Sequence, residues 1–310
     1  MASLESRRIR ATFVNDRDVP PSPIEEQRKQ WEAAVAEVNA GLDAAITPVD
    51  IYGIPGEWVA APDIEAQGAL LFLHGGGYNA GSCVTHRAMA ARLARATRAR
   101  VLQIDYRLAP EHPCPAAIQD AARAYGWLIE QPIPAEQIAI GGDSAGGGLA
   151  LATLIELRDS GAPLPAAGFL LSPWLDMALI GESMQTRAQI DPLSSYEGLL
   201  AAAQLYLGGR DPRDPQASPL YADPRDLPPL LIHVGDHEVL LSDATRLADR
   251  ARAVGVQIQL EIWDEMWHVW HTWADDLPEA REAIARLGMF IRQQFDSRQY
   301  ADGSKQYESY

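Results

Sequence analysis

Short apolar runs bounded by glycine-rich or polar steps recur along the chain and alternate with longer segments whose apolar positions repeat every three to four residues. The short runs predict strands at 48–54, 57–61, 69–73, 100–104, 137–141, 167–171, 230–234 and 257–263. The longer segments predict helices at 85–97, 116–130, 145–159, 242–254 and 278–295. Strand and helix alternating in this way is the sequence form of an α/β fold, a mostly parallel central sheet with helices on both faces.

Two segments stand outside the alternation. Residues 1–45 are polar, helical in pattern and broken by Pro20-Pro21-Ser22-Pro23, and residues 180–221 interrupt the sheet with an apolar helix at 195–207. The rest, 46–296, reads as one domain carrying that insertion, and the polar tail 297–310 shows no period and is expected to fray. A chain of 310 residues with a formal charge of -16 has the length to bury a large core, and its charge argues against nucleic acid or an anionic membrane as partner. No apolar stretch approaches the roughly 20 residues of a bilayer span, and Met1-Ala2-Ser3-Leu4-Glu5-Ser6-Arg7-Arg8 has no signal-peptide core, so a cytoplasmic protein is expected. Cys83 and Cys114 are expected as free thiols, and the scattered His86, His112 and His233 lack the paired spacing of a metal site.

Chemistry concentrates where predicted strands end. Gly142-Asp143-Ser144-Ala145-Gly146 lies between a strand and a helix, a Gly-x-Ser-x-Gly step whose glycines permit a sharp turn that presents Ser144 as a nucleophile. The strand at 69–73 runs into His74-Gly75-Gly76-Gly77-Tyr78. Acyl transfer to a serine needs backbone N–H groups aimed at the oxyanion, and Gly75, Gly76 and Ala145 are the candidates. Neither phosphate-binding glycine pattern is present. In hydrolases with this step the acid and then the histidine follow the serine in chain order. After the strand at 230–234 come two carboxylates, Asp236 and Glu238, and after the strand at 257–263 comes His268. His271, three residues deeper, reads as a packed side chain, as do Trp263, Trp267, Trp270 and Trp273 at the floor and rim of the site. Arg107 and Glu111 are expected to form a structural charge pair, Asp143 to satisfy local backbone donors, and Asp243 to interact with the N-terminus of a helix capped by Ser242.

Four blocks in this order resemble the hormone-sensitive-lipase-like (bacterial family IV) esterases of the α/β-hydrolase superfamily: His74-Gly75-Gly76-Gly77, Asp105-Tyr106-Arg107-Leu108-Ala109-Pro110-Glu111-His112-Pro113, Gly142-Asp143-Ser144-Ala145-Gly146 and Met266-Trp267-His268. The resemblance implies an α/β-hydrolase fold in which residues 1–45 and about 180–221 form a helical cap, bringing Leu199, Leu200, Leu205 and Leu207 near the site. It implies a serine carboxylesterase for short to medium acyl chains that needs no cofactor or metal, with Ser144 as nucleophile, His268 as base and a small-molecule ester as partner. Family members often carry Asp-Pro-Leu around the acid, where this chain has Glu238-Val239-Leu240; Glu238 is preferred, with Asp236 the alternative acid. An amidase or lactonase would use the same machinery, and plant gibberellin receptors resemble the family while acting as binding proteins with the triad histidine replaced. The last predicted strand, 257–262 at its core, falls at a sheet edge, and the resemblance implies a homodimer through it.

Overall fold

In the computed structural model, which describes residues 2–13 and 22–307, the chain begins with α1 (Leu4–Arg10), α2 (Ile24–Ala34) and α3 (Ala36–Ala40). The Pro20-Pro21 step expected to break the leader lies outside the described residues. A hairpin of β1 (Ala45–Ile51) and β2 (Ile54–Ala60) follows. Its turn sits at Tyr52 and Gly53, both with left-handed φ (53° and 87°), and pairs Ile51 with Ile54, a few residues earlier than the sequence pattern suggested. Two consecutive left-handed residues match the right-handed twist of the strands, and a tyrosine in the first of those positions gives no turn signal.

From there the expected alternation is met: β3 (Ala69–Leu73), α4 (Cys83–Thr97), β4 (Arg100–Ile104), α5 (Ala116–Glu130), β5 (Ile138–Asp143), α6 (Ala145–Asp159) and β6 (Ala167–Leu171). After α7 (Ser183–Thr186) and α8 (Tyr196–Leu207) come β7 (Leu230–Gly235), α9 (Leu241–Ala253), β8 (Ile258–Trp263) and α10 (Pro278–Tyr307). Helix α10 continues past the expected end at Phe295 into the tail. The described residues form an eight-stranded sheet in the order β1-β2-β4-β3-β5-β6-β7-β8, antiparallel at β1–β2–β4 and parallel from β4 to β8, so this is an α/β-hydrolase fold.

Strands β3, β5, β6 and β7 are buried along their whole length, which is why they read as continuous apolar runs instead of alternating ones. Their two faces build two cores. Leu71, Leu73, Ile140 and Leu170 pack with α5, α6 and α9, while Leu70, Phe72, Phe169 and Leu231 pack with α4 and α10. Strand β8 is an edge, half-buried, with Ile262 exposed. Cys83 and Cys114 are free and buried. Among the described residues no helix is long and apolar enough to cross a membrane.

Parallel strands share one carboxyl end, and the loops that leave it after β3, β5, β6, β7 and β8 carry Gly75–Gly77, Ser144, Ser172, Glu238 and His268. Ligand sites of open α/β sheets lie at this edge.

Candidate active site

Ser144 sits between β5 and α6 with φ 53° and ψ -121°, a conformation that costs about 1–3 kcal/mol and persists only when its surroundings over-determine it. Here they do: its N–H donates to Leu171 O (2.8 Å), and its carbonyl accepts from Gly148 N (3.1 Å) and Trp174 N (3.0 Å). The turn also brings α6 against β3. A side chain at Gly146 would place its Cβ 2.0 Å from the Leu73 carbonyl oxygen, so the last glycine of the pentapeptide is required by close approach.

The Ser144 hydroxyl lies 2.8 Å from His268 Nε2, and His268 Nδ1 lies 2.9 Å from Glu238 Oε2. The other Glu238 oxygen accepts from Ser172 Oγ (2.7 Å) and from Gly235 N (2.6 Å). Ser172 Oγ in turn accepts the Val269 N–H at 3.0 Å, so one buried hydroxyl ties the loop of the carboxylate to the loop of the imidazole. Burial pushes the Glu238 carboxyl up, against the opposing pull of His268, the Gly235 N–H and Ser172. Burial also disfavours a charged His268, but the hydrogen bond and charge of Glu238 outweigh it and hold the imidazole above the ordinary histidine value. Asp236, the alternative acid, is not in this line: its Oδ1 accepts from Glu265 N (2.6 Å) and its nearest imidazole is His237, at 3.9 Å.

The glycine loop departs from the sequence reading in one respect. The Gly75 N–H donates to Asp143 Oδ1 at 3.1 Å, so it faces that carboxylate and is not free for a ligand. Among the described residues the N–H groups of Gly76, Gly77 and Ala145 have no acceptor, and Gly76 and Gly77 line the cleft beside Ser144 and His268. Gly76 has φ 113°, and a Cβ there would fall 2.4 Å from Ala80 O, so only glycine turns this N–H as it does. Below the loop His74 stacks on Tyr106 (ring centroids 4.2 Å), whose hydroxyl donates to His74 O (2.7 Å). Asp143 also meets His86 Nε2 at 3.4 Å. Burial would raise its carboxyl, and His86, His74 and His268 turn the balance so that it lies below the usual value.

The cleft has a volume of about 540 Å³. Trp31, Val35 and Val38 come to its wall from the N-terminal segment, Leu193 from the insertion, and Met89 and Trp273 from the α/β body. Arg28 of α2 fastens the first of these to the glycine loop, donating to Asn79 O (2.7 Å) and Ala109 O (2.8 Å) and pairing with Glu111 (2.8 Å). Asp191 fastens the second, accepting from Val239 N (2.9 Å), Leu193 N and Ser194 N. The four leucines expected over the site are elsewhere: Leu200 and Leu205 are each 36 % exposed, and Leu199 and Leu207 pack into the core. Period alone does not tell which flank of α8 faces the cleft, and Tyr206 fixes it by stacking on Tyr78 at 3.7 Å.

Other expectations are corrected by their partners. Arg107 pairs with Asp120 (2.8 Å) and Glu111 with Arg28, so the two do not pair with each other. Asp143 takes its donor from the glycine loop, far along the chain, rather than locally. Ser242 does not cap α9 but exchanges hydrogen bonds with Ser183, and Asp243 accepts from Leu175 N and Asp176 N instead of its own helix. Trp267 and Trp270 are buried, with Trp273 at the cleft wall, and His271 packs face to face with His233. Ser172, Asp191 and Arg28 were not anticipated: each acts through a partner distant in sequence, and none stands in a motif. Gly77 did stand in one.

The sequence profile of the α/β-hydrolase fold family matches residues 70–272. An acetyl-hydrolase of Streptomyces hygroscopicus is 41% identical over 295 residues, spanning 94% of this chain and 97% of that protein. An esterase of Acinetobacter venetianus is 37% identical over 246 residues, 79% of this chain and 81% of that protein. Among solved structures, an esterase from the bacterial hormone-sensitive lipase family superposes with a TM-score of 0.91 at 46% identity, covering 95% of this chain and 99% of that one.

Proposed function

The chain belongs to the α/β-hydrolase-fold carboxylic ester hydrolases related to bacterial hormone-sensitive lipase, and from that premise we propose that it cleaves esters of short to medium carboxylic acids through an acyl-enzyme on Ser144. His268 removes the Ser144 proton as Oγ bonds to the ester carbonyl carbon, and the carbonyl π pair moves onto oxygen. The N–H groups of Gly76, Gly77 and Ala145 receive that oxyanion, in place of the expected Gly75. Collapse of the tetrahedral adduct breaks the bond to the alcohol oxygen, which leaves with the proton from His268. Water, deprotonated by the same imidazole, then releases the acid. Glu238 keeps Nδ1 protonated, Nε2 free to accept, and the imidazolium stabilised.

The observation that carries this reading is the continuous line from the Ser144 hydroxyl through His268 to a buried Glu238, beside N–H groups that have no acceptor among the described residues. Short to medium chains are supported by the size of the cleft and by its apolar wall, to which Trp31, Val35 and Val38 of the N-terminal segment and Leu193 of the insertion contribute in the manner of a cap. A series of soluble p-nitrophenyl esters, run beside a matched amide and lactone, tests it. Turnover is expected to be greatest for short to medium esters and to fall by about 10³ or more in Ser144→Ala. Faster hydrolysis of long-chain emulsions, or of the amide, would overturn the proposal.

A further inference from the structure

The seam between α4 and α10 opens on the flank of the molecule into a second cavity, of about 680 Å³, within the size range of small-molecule sites. Ile64, Ala96, Ile284, Ala285 and Met289 give it an aliphatic floor. Around that floor stand five arginines, Arg92, Arg95, Arg98, Arg281 and Arg292, in a chain whose formal charge is -16. Two of them are neutralised: Arg92 pairs with Asp275 (2.7 Å), and Arg95 with Asp43 (2.8 Å) and Asp63 (3.0 Å). Arg281 and Arg292 donate instead to backbone carbonyls, of Ala274 and Asp275 and of Ala96. Arg98, exposed at the left-handed C-terminus of α4, has no side-chain partner among the described residues. The rim therefore holds positive charge in excess of its carboxylates, above a surface that favours hydrocarbon.

We propose that this groove binds a medium-chain carboxylate, with its chain along the aliphatic floor and its head at the arginine rim. Guanidinium groups suit a carboxylate through paired N–H donors, and an open apolar channel suits a flexible chain. The groove adjoins the catalytic cleft, since Arg92 and Asp275 line both and their ion pair stands between them. A carboxylic acid is what an ester hydrolase releases, so the enzyme itself generates this ligand class beside the site. An anionic bilayer shares the head-group chemistry, but a chain of charge -16 is repelled by such a surface, and the groove is sized for a single molecule.

Calorimetric titration of the full chain with laurate below its micellar concentration tests the proposal, with dodecyltrimethylammonium as the oppositely charged control. The variants are Arg98→Glu and Met289→Asp; both positions are exposed, Met289 at 55 %, and neither lines the cleft. Laurate is expected to bind the wild-type chain, and each variant to weaken that binding about tenfold or more, with short-ester turnover in the absence of laurate unchanged. The cation is expected not to compete with laurate. Absence of laurate binding, equal binding by both variants, equal binding of the cation, or binding only to vesicles of phosphatidylglycerol would each overturn it.

Discussion

At the scale of single residues, the proposed chemistry depends on the contact between Glu238 and His268, which orients the base for Ser144. The carboxylate holds the imidazole above the ordinary histidine value against the effect of burial. Only the neutral imidazole accepts a proton, so kcat/KM is expected to rise with pH through a value above about 6.5. In Glu238→Gln burial of the imidazole is opposed only by the weaker charges of Asp191 and Asp143, and the acid limb of the profile moves to lower pH while turnover drops by about 10³ to 10⁴. Asp236→Asn, whose amide oxygen still accepts from the Glu265 N–H and which loses only a carboxylate charge beside His237, is expected to stay within about threefold of the parent. Steady-state kinetics of the two variants from pH 5 to 9 decide the assignment; a large loss confined to Asp236→Asn would reverse it. The serine and histidine were legible because their strand-to-loop settings are local. The proposed acid was legible only as a choice of two, since nothing local reveals that Ser172 would hold Glu238 from another strand's loop. That the Gly75 N–H is taken up depends on Asp143 reaching across from the neighbouring strand, which a motif does not encode.

At the scale of elements, the inner strands β3 and β6 fell where the apolar runs predicted them, because strands sandwiched between helices announce themselves by continuous apolarity. The N-terminal segment was less legible: α2 has no buried residue of its own, and its place is fixed by polar contacts to the glycine loop. Arg28 makes the main ones. Its pair with Glu111 is largely exposed and contributes little, whereas its bonds to the Asn79 and Ala109 carbonyls contribute on the order of 1–2 kcal/mol together. Arg28→Met is therefore expected to loosen the wall formed by Trp31, Val35 and Val38, raising KM about three- to tenfold with a smaller change in kcat. Michaelis kinetics on one soluble ester check this; an unchanged KM would mean that α2 stays seated without Arg28.

At the scale of the whole molecule, buried imidazoles link folding to pH. Burial, with His86 nearby, holds His74 down to about 4, burial and Arg286 hold His233 down to about 3, and burial holds His271 well below the ordinary value. Below about pH 6.5 the unfolded chain binds protons that these folded imidazoles refuse, so stability falls as the pH drops from 6.5 toward 4. Asp243, raised to about 7 by burial, works in the opposite direction over the same interval, as do the raised Glu238 and His268. The three lowered imidazoles, each of which charges in the unfolded chain across the interval below about pH 6.5, are expected to prevail between pH 7 and pH 5. The urea midpoint is expected to be lower at pH 5; an equal or higher midpoint there would contradict the balance.

The proposed hydrolysis turns on Ser144, and a single covalent label tests it. The chain is treated with diethyl p-nitrophenyl phosphate until ester hydrolysis stops, then analysed as intact protein and as peptides by mass spectrometry. The proposed chemistry predicts one diethylphosphoryl group per chain, on the peptide bearing Gly142-Asp143-Ser144-Ala145-Gly146 and at Ser144 itself, with no label in Ser144→Ala. Inactivation with the adduct on another residue, or with Ser144 unmodified, would contradict it.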